Sequence, residues 1–260
     1  MLTRYLTAAA AAAAILIPSA HAAAQARHPR TTVVCRHDQR ITVTGRHGFT
    51  GFVRNDNFAR LPECLTNQNH WPNFTVARSA ASSYGPESDA YPEIVYGCEY
   101  NACTPHSGLP RRITRLANPR LTWRMKATAP GLWAAGTGLW FARGRYTGGH
   151  DKGAEIMIWP TCAGCGIPIS GSRQIVTIDG IRWWFIHWRT GVPGTRWNYI
   201  QFRAVRHTTT LTGLPLMPFL RRAEQAGLLD RHWYATSFDL GFEIWHGGRG
   251  LATTSCWITP

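Results

Sequence analysis

Ala154-Glu155-Ile156-Met157-Ile158-Trp159 and Asp239-Leu240-Gly241-Phe242-Glu243-Ile244-Trp245 each set a glutamate inside a short aliphatic and aromatic run. Runs of this length and composition read as β-strands, in which successive side chains point to opposite faces. Glu155 then shares a face with Met157 and Trp159, and Glu243 shares one with Gly241 and Trp245. An ionised carboxylate in such surroundings is costly unless it is paired, hydrogen-bonded or protonated. A single glutamate of this kind is ordinarily a strand end or an arginine partner. Two of them, in a chain with 14 Asp and Glu against 28 Lys and Arg, point to a working pair with displaced pKa values.

Working outward, similar segments recur along the chain, separated by Gly, Pro and Asn. They run over Thr32 to Cys35, Ile41 to Thr44, Tyr91 to Tyr100, Thr122 to Lys126, Gly138 to Arg143, Glu155 to Trp159, Gln174 to Ile178, Ile181 to Arg189, Trp197 to Val205, Trp233 to Phe242 and Cys256 to Thr259. That spacing predicts an all-β fold, a sandwich or jelly roll. Pro215 to Leu229 carries Leu216, Phe219, Leu220, Ala223 and Leu228 at helical spacing, and reads as one α-helix packed on the sandwich. In Trp183-Trp184-Phe185-Ile186-His187-Trp188, alternation divides Trp183, Phe185 and His187 from Trp184, Ile186 and Trp188, and one of these faces belongs to the core.

The N-terminal stretch reads as an export signal spanning residues 1–22: Arg4, an apolar run from Leu6 to Ile17, then Ala20-His21-Ala22 as the cleavage pattern. The apolar run is shorter than the roughly 20 residues a membrane span needs, so a secreted chain without stable membrane insertion is expected. Residues 23–260 suit one domain, since all-β units of about 200–250 residues are ordinary. Net charge is +14, almost all of it arginine, because Lys126 and Lys152 are the only lysines. The arginines are scattered and form no recognisable nucleic-acid module, which argues against nucleic acid as partner. We expect a monomer. Of seven cysteines, Cys98 with Cys103 is spaced to close a small loop, and Cys35 with Cys64 to join the first strand to a later one. Cys162, Cys165 and Cys256 remain, and a local or Cys256-linked disulfide is favoured over zinc because no second ligand pair follows. No metal or organic cofactor is expected.

Two carboxyl groups with aromatic rings beside them are the equipment for cleaving a sugar chain: acids flanking the scissile bond, and rings to stack on pyranose faces. The chain resembles the family-twelve glycoside hydrolases, small β-jelly-roll endoglucanases, over nearly all of its length after residue 22. The resemblance is carried by Pro92-Glu93-Ile94-Val95-Tyr96-Gly97-Cys98-Glu99-Tyr100-Asn101-Ala102-Cys103, by Glu155-Ile156-Met157-Ile158-Trp159, by Trp197-Asn198-Tyr199, and by Gly241-Phe242-Glu243-Ile244-Trp245 with Gly247-Gly248. It implies a two-sheet antiparallel β-jelly-roll sandwich with a concave substrate cleft, and Glu155 as nucleophile and Glu243 as acid/base in retaining hydrolysis of internal bonds of β-1,4-glucans. Phe58, Trp140, Met157, Trp159, Asn198 and Trp245 are the candidate substrate contacts.

One departure stands out. The family usually carries an aspartate beside the nucleophile, and here Thr137-Gly138-Leu139-Trp140 puts Gly138 in its place. Loss of that neighbour leaves open a weakly active glucan-binding jelly roll. Gly138→Asp discriminates: a large gain in turnover without a change in glucan binding would mark the natural chain as a disabled enzyme. Xyloglucan and mixed-linkage glucan rival cellulose as substrate, with selection by cleft-wall loops such as Tyr146 to Lys152.

Overall fold

The computed structural model describes residues 30–148, 152–165 and 172–259. The export signal of residues 1–22 lies outside the described residues, as does part of the Tyr146 to Lys152 loop. The strands, in chain order, are β1 Thr31–Val34, β2 Arg40–Thr44, β3 Thr50–Arg54, β4 Glu63–Gln68, β5 Phe74–Ser79, β6 Glu93–Glu99, β7 Ala102–Cys103, β8 Arg111–Arg112, β9 Arg120–Lys126, β10 Gly131–Ala142, β11 Ala154–Ala163, β12 Ser172–Ile178, β13 Ile181–Thr190, β14 Trp197–Ala204, β15 Thr210–Pro215, β16 Tyr234–Gly247 and β17 Ala252–Thr259, with the helix α1 at Met217–Gln225 between β15 and β16.

They form two layers. A six-stranded sheet runs β1-β4-β5-β17-β9-β15, and an 11-stranded sheet runs β12-β13-β14-β11-β10-β16-β6-β3-β2, with β7 and β8 attached at its margin. The sandwich is the one the alternation predicts. Pairings are antiparallel except between β11 and β14, which are parallel, Glu155 beside Tyr199 and Met157 beside Gln201.

Alternation decides what each face of β16 does. Phe238, Leu240, Phe242 and Ile244 are buried between the sheets. The Phe242 ring meets Phe74 edge-on at 5.9 Å and Trp123 at 6.1 Å, joining the sheets through aromatic contacts. The alternate residues Asp239, Gly241, Glu243 and Trp245 are thereby turned to the other, concave face. Register shifts interrupt the long strand β10 against both its neighbours. Such bulges bend and twist the strand that carries them, which suits a curved sheet.

The helix is shorter than the sequence predicts, because Thr210–Pro215 pairs with β9 instead of starting a helical turn. Phe219, Leu220 and Ala223 form its buried face. Phe219 packs edge-on against Trp183 at 5.3 Å and Phe202 at 4.9 Å, so α1 covers the side of the larger sheet away from the cleft. Gly227, at φ 70°, ends the helix, with the Leu228 amide donating back to the Ala223 carbonyl.

Cys35–Cys64 and Cys98–Cys103 are disulfide-bonded, as the spacing predicts. Cys162 bonds to Cys165, and Cys256 is a free thiol buried in the core.

Candidate active site

Three adjacent strands supply the floor of a cleft. On β11, Glu155, Met157 and Trp159 face it. Beside them on β10, Trp140 stands opposite Glu155 and Gly138 opposite Met157. On β16, across β10, Glu243 pairs in register with Ala134. Close packing needs small residues in the middle strand: a Cβ at Gly136 would press on Met157 and Trp159 at 3.0 Å.

The walls are aromatic. Trp159 and Trp245 meet edge-on at 6.0 Å, Tyr100 meets Trp140 at 6.3 Å, and Trp188 lies over Tyr199 at 4.3 Å. Phe58, about half exposed, and Glu87 belong to loops at the rim. Glu155, Glu243, Phe58, Trp140, Met157, Trp159 and Trp245, seven of the residues singled out in the sequence, are thus brought together in one groove. Asn198 is the exception. Between Trp197 and Tyr199 on β14 it points to the opposite face, and its side-chain amide donates to the Leu228 carbonyl at 2.7 Å, tying the sheet to the segment after α1. Its place as a substrate contact is therefore corrected to an internal tether.

The two glutamates differ in surroundings. Glu155 Oε2 accepts a hydrogen bond from Trp197 Nε1 at 2.9 Å, which favours its charged form, although burial pushes its pKa up to about 8. Burial also pushes Glu243 up to about 8, and the negative charge of Glu155 adds to the rise. Each carboxyl also meets a tryptophan that favours its charged form, Trp197 for Glu155 and Trp159 for Glu243, so the two share one proton-rich, buried setting.

Beside this floor, on the neighbouring strands β3 and β6 and the loops that follow them, lies a charged network that sequence reading missed. Arg54, nearly buried, pairs with Asp38 at 2.7 Å, with Asp56 and Glu93 at 2.9 Å and with Glu99 at 3.5 Å. Its guanidinium also sits 4.3 Å from the centre of the Tyr100 ring. Asp239 Oδ1 accepts from the Tyr91 hydroxyl at 2.7 Å and from the Gly138 amide at 2.9 Å. Burial holds Glu93 and Glu99 well above the usual carboxylate range, with Glu99 and Asp239 adding to the rise at Glu93 and Asp239 to that at Glu99, and burial pushes Asp56 up to about 6. Among the described residues, carboxyl oxygens of Glu93, Glu99 and Asp239 lie within 4.8 Å of one another, the one acidic group compact enough to share a cation. Arg54 already supplies a positive charge there. The signal for Glu93 and Glu99 is present in Pro92 to Cys103, where both fall on one face of a strand at even spacing.

The Gly138 departure takes on a different meaning here. A Cβ at position 138 would lie 2.6 Å from both carboxylate oxygens of Asp239. The space is occupied. An added carboxyl at 138 would collide with one already there, so Gly138→Asp cannot simply restore the missing neighbour.

The profile of the Glycosyl hydrolase family 12 matches residues 64–259. The chain belongs to this family. Its fold is also that of solved family-12 structures. A metagenome-derived glycoside hydrolase family 12 endoglucanase superposes with a TM-score of 0.80 at 32% identity, over 89% of this chain and 98% of that one. Endoglucanase cel12A from Rhodothermus marinus gives 0.78 at 33% identity, over 88% and 98%. A family 12 xyloglucanase from Bacillus licheniformis shares the fold at 20% identity, with a TM-score of 0.75 over 88% and 99%. A search of curated protein sequences returned no significant match. As a family-12 member the chain is a glycoside hydrolase.

Proposed function

We propose that this chain is an exported, retaining endo-β-1,4-glucanase that cuts internal bonds of β-glucans, with Glu155 as nucleophile and Glu243 as acid and base. The observation that carries the reading is the meeting of the two glutamates, both buried, in one aromatic groove. The endoglucanases among its solved relatives at 32% and 33% identity support the substrate class. A groove open along a sheet accommodates a polymer, with Phe58, Trp140 and Trp245 as stacking surfaces for successive sugar rings.

In the first step Glu155 attacks the anomeric carbon as Glu243 gives its proton to the departing glycosidic oxygen, leaving a glycosyl ester on Glu155. Glu243, now ionised, removes a proton from water, and the resulting hydroxide equivalent displaces Glu155. Glu243 is thereby reprotonated and the original configuration restored. The Trp197 hydrogen bond to Glu155 orients the nucleophile and is released in part as the ester forms.

The test is reducing-end release and viscosity loss on carboxymethyl cellulose, xyloglucan and mixed-linkage β-glucan, with Glu155→Gln as control. A rapid fall in viscosity that the substitution abolishes supports endo-cleavage and ranks the substrates. Binding without turnover on every glucan would favour a glucan-binding protein.

A further inference from the structure

Asp239 has a position that hydrolysis by two glutamates does not by itself require. It shares the concave face of β16 with Glu243, four residues away, and is fully buried. Opposite it on β10, between the register pairs Gly136 with Gly241 and Leu139 with Phe238, stands Gly138. Gly138 in turn is paired with Met157, two residues along β11 from Glu155. The Asp239 carboxyl thus lies in the same layer as both reacting glutamates and fills the room a side chain at Gly138 would take.

The carboxyl is held there from several sides. Tyr91 Oη and the Gly138 amide donate to Oδ1 at 2.7 and 2.9 Å, and the Trp140 side chain donates as well. Tyr91 and Trp140 both line the groove, so the donors connect Asp239 to the substrate side of the sheet. On the other side Asp239 adjoins Glu93 and Glu99 and, through them, Arg54.

We propose that Asp239 is a positioning residue for the reaction, a third carboxyl carried on the acid's own strand that stands in the space left by Gly138 and sets the charge against which Glu155 and Glu243 divide their proton. Its electrostatic reach agrees with the geometry: Asp239 raises the pKa of Glu155 and of Glu243 alike. A glycine at 138 is then one half of an exchange between neighbouring strands, the other half being Asp239. The inference rests on the assignment of Glu155 and Glu243 made above.

The sign of the effect follows. Removing a negative charge near two acids lowers both pKa values. The rate needs Glu155 ionised and Glu243 protonated, so both limbs of the pH profile should move to lower pH. Asp239→Asn, which keeps the shape and removes the charge, is expected to shift both limbs down by about one unit and to cut kcat by about tenfold or more, with KM little changed. Tyr91→Phe removes a donor to the carboxyl and keeps the ring. It should shift the limbs in the same direction by less, and it serves as the test should Asp239→Asn fail to fold. Gly138→Asp with Asp239→Gly returns the carboxyl to the neighbouring strand and is expected to recover part of the lost kcat and the original limbs. A folded Asp239→Asn or Tyr91→Phe enzyme whose pH limbs coincide with those of the unaltered enzyme would overturn the proposal, even if its rate were lower. Should that occur while Glu155→Gln is inactive, the positioning role alone fails. If Glu155→Gln stays active, the assignment beneath it fails.

Discussion

At Glu155 and Glu243 the decisive property is a pair of buried carboxyls, each raised by burial to about 8 and each met by a tryptophan that favours its charged form, Trp197 for Glu155 and Trp159 for Glu243. Glu155→Gln is therefore expected to abolish turnover while leaving glucan affinity nearly intact, measured by titration calorimetry beside kinetics. Glu243→Gln should slow substrates with poor leaving groups far more than activated aryl glycosides, because only the former need the proton. Gly138→Asp alone should lose activity and stability, as two carboxyls cannot occupy one buried space without a clash and a second charge. Glu155 and Glu243 were legible in the sequence because their oddity is local: each breaks an apolar run. Asp239 lies in an equally readable stretch, but its significance depends on standing opposite Gly138 across two strands. No local pattern carries that register.

On the scale of elements, even-odd alternation sufficed to sort the faces of β11, β13 and β16, and the core received Trp183 and Phe185 as one of the two possible choices. The same rule, applied to Trp197-Asn198-Tyr199, separates Asn198 from its aromatic neighbours. Resemblance drew attention to the whole triplet, and the middle residue turns inward. Asn198→Ala is accordingly expected to leave KM unchanged and to lower unfolding free energy by roughly 0.5–1.5 kcal/mol, the net worth of a partly buried hydrogen bond, as read by denaturant melts. Strands β3, β4, β5 and β15, with the two-residue β7 and β8, escaped the sequence reading. β4 and β5 alternate with polar residues such as Asn67 and Thr75, and β15 contains Gly213 and ends at Pro215, which resembles a turn or helix start. The parallel alignment of β11 and β14 was not legible either, since it joins strands separated by a hairpin partner and not by a turn.

For the molecule as a whole, the cleft floor concentrates buried carboxyls in a protein of net charge +14. Burial raises Glu63, Glu155 and Glu243 to about 8 and Asp56 to about 6. Their pKa values are higher folded than unfolded, so the folded state binds more protons between those limits. The stability they contribute is full below the ordinary carboxylate range and is lost as pH rises through about 6 and then about 8. Asp38, lowered by its arginine partners against the opposing effect of burial, acts in the reverse sense, its contribution being lost as pH falls. Glu63 offers the cleanest check, because both its carboxyl oxygens are buried without a partner. Glu63→Gln should raise the thermal midpoint at pH values near 8 and change it little in mild acid, as followed by calorimetry across pH. The positive surface predicts a separate behaviour: retention on anionic polymers should fall steeply with salt, whereas binding of a neutral glucan by ring stacking should vary little.

The central claim is a double displacement through Glu155 assisted by Glu243, and its most direct test is the configuration of the first-formed product. Proton NMR of a soluble cello-oligosaccharide, recorded within moments of adding enzyme, should show the new reducing end as the β-anomer, with the α-anomer growing only as the sugar mutarotates. Initial release of the α-anomer would mean a single displacement by water and would contradict the assignment of Glu155 as nucleophile.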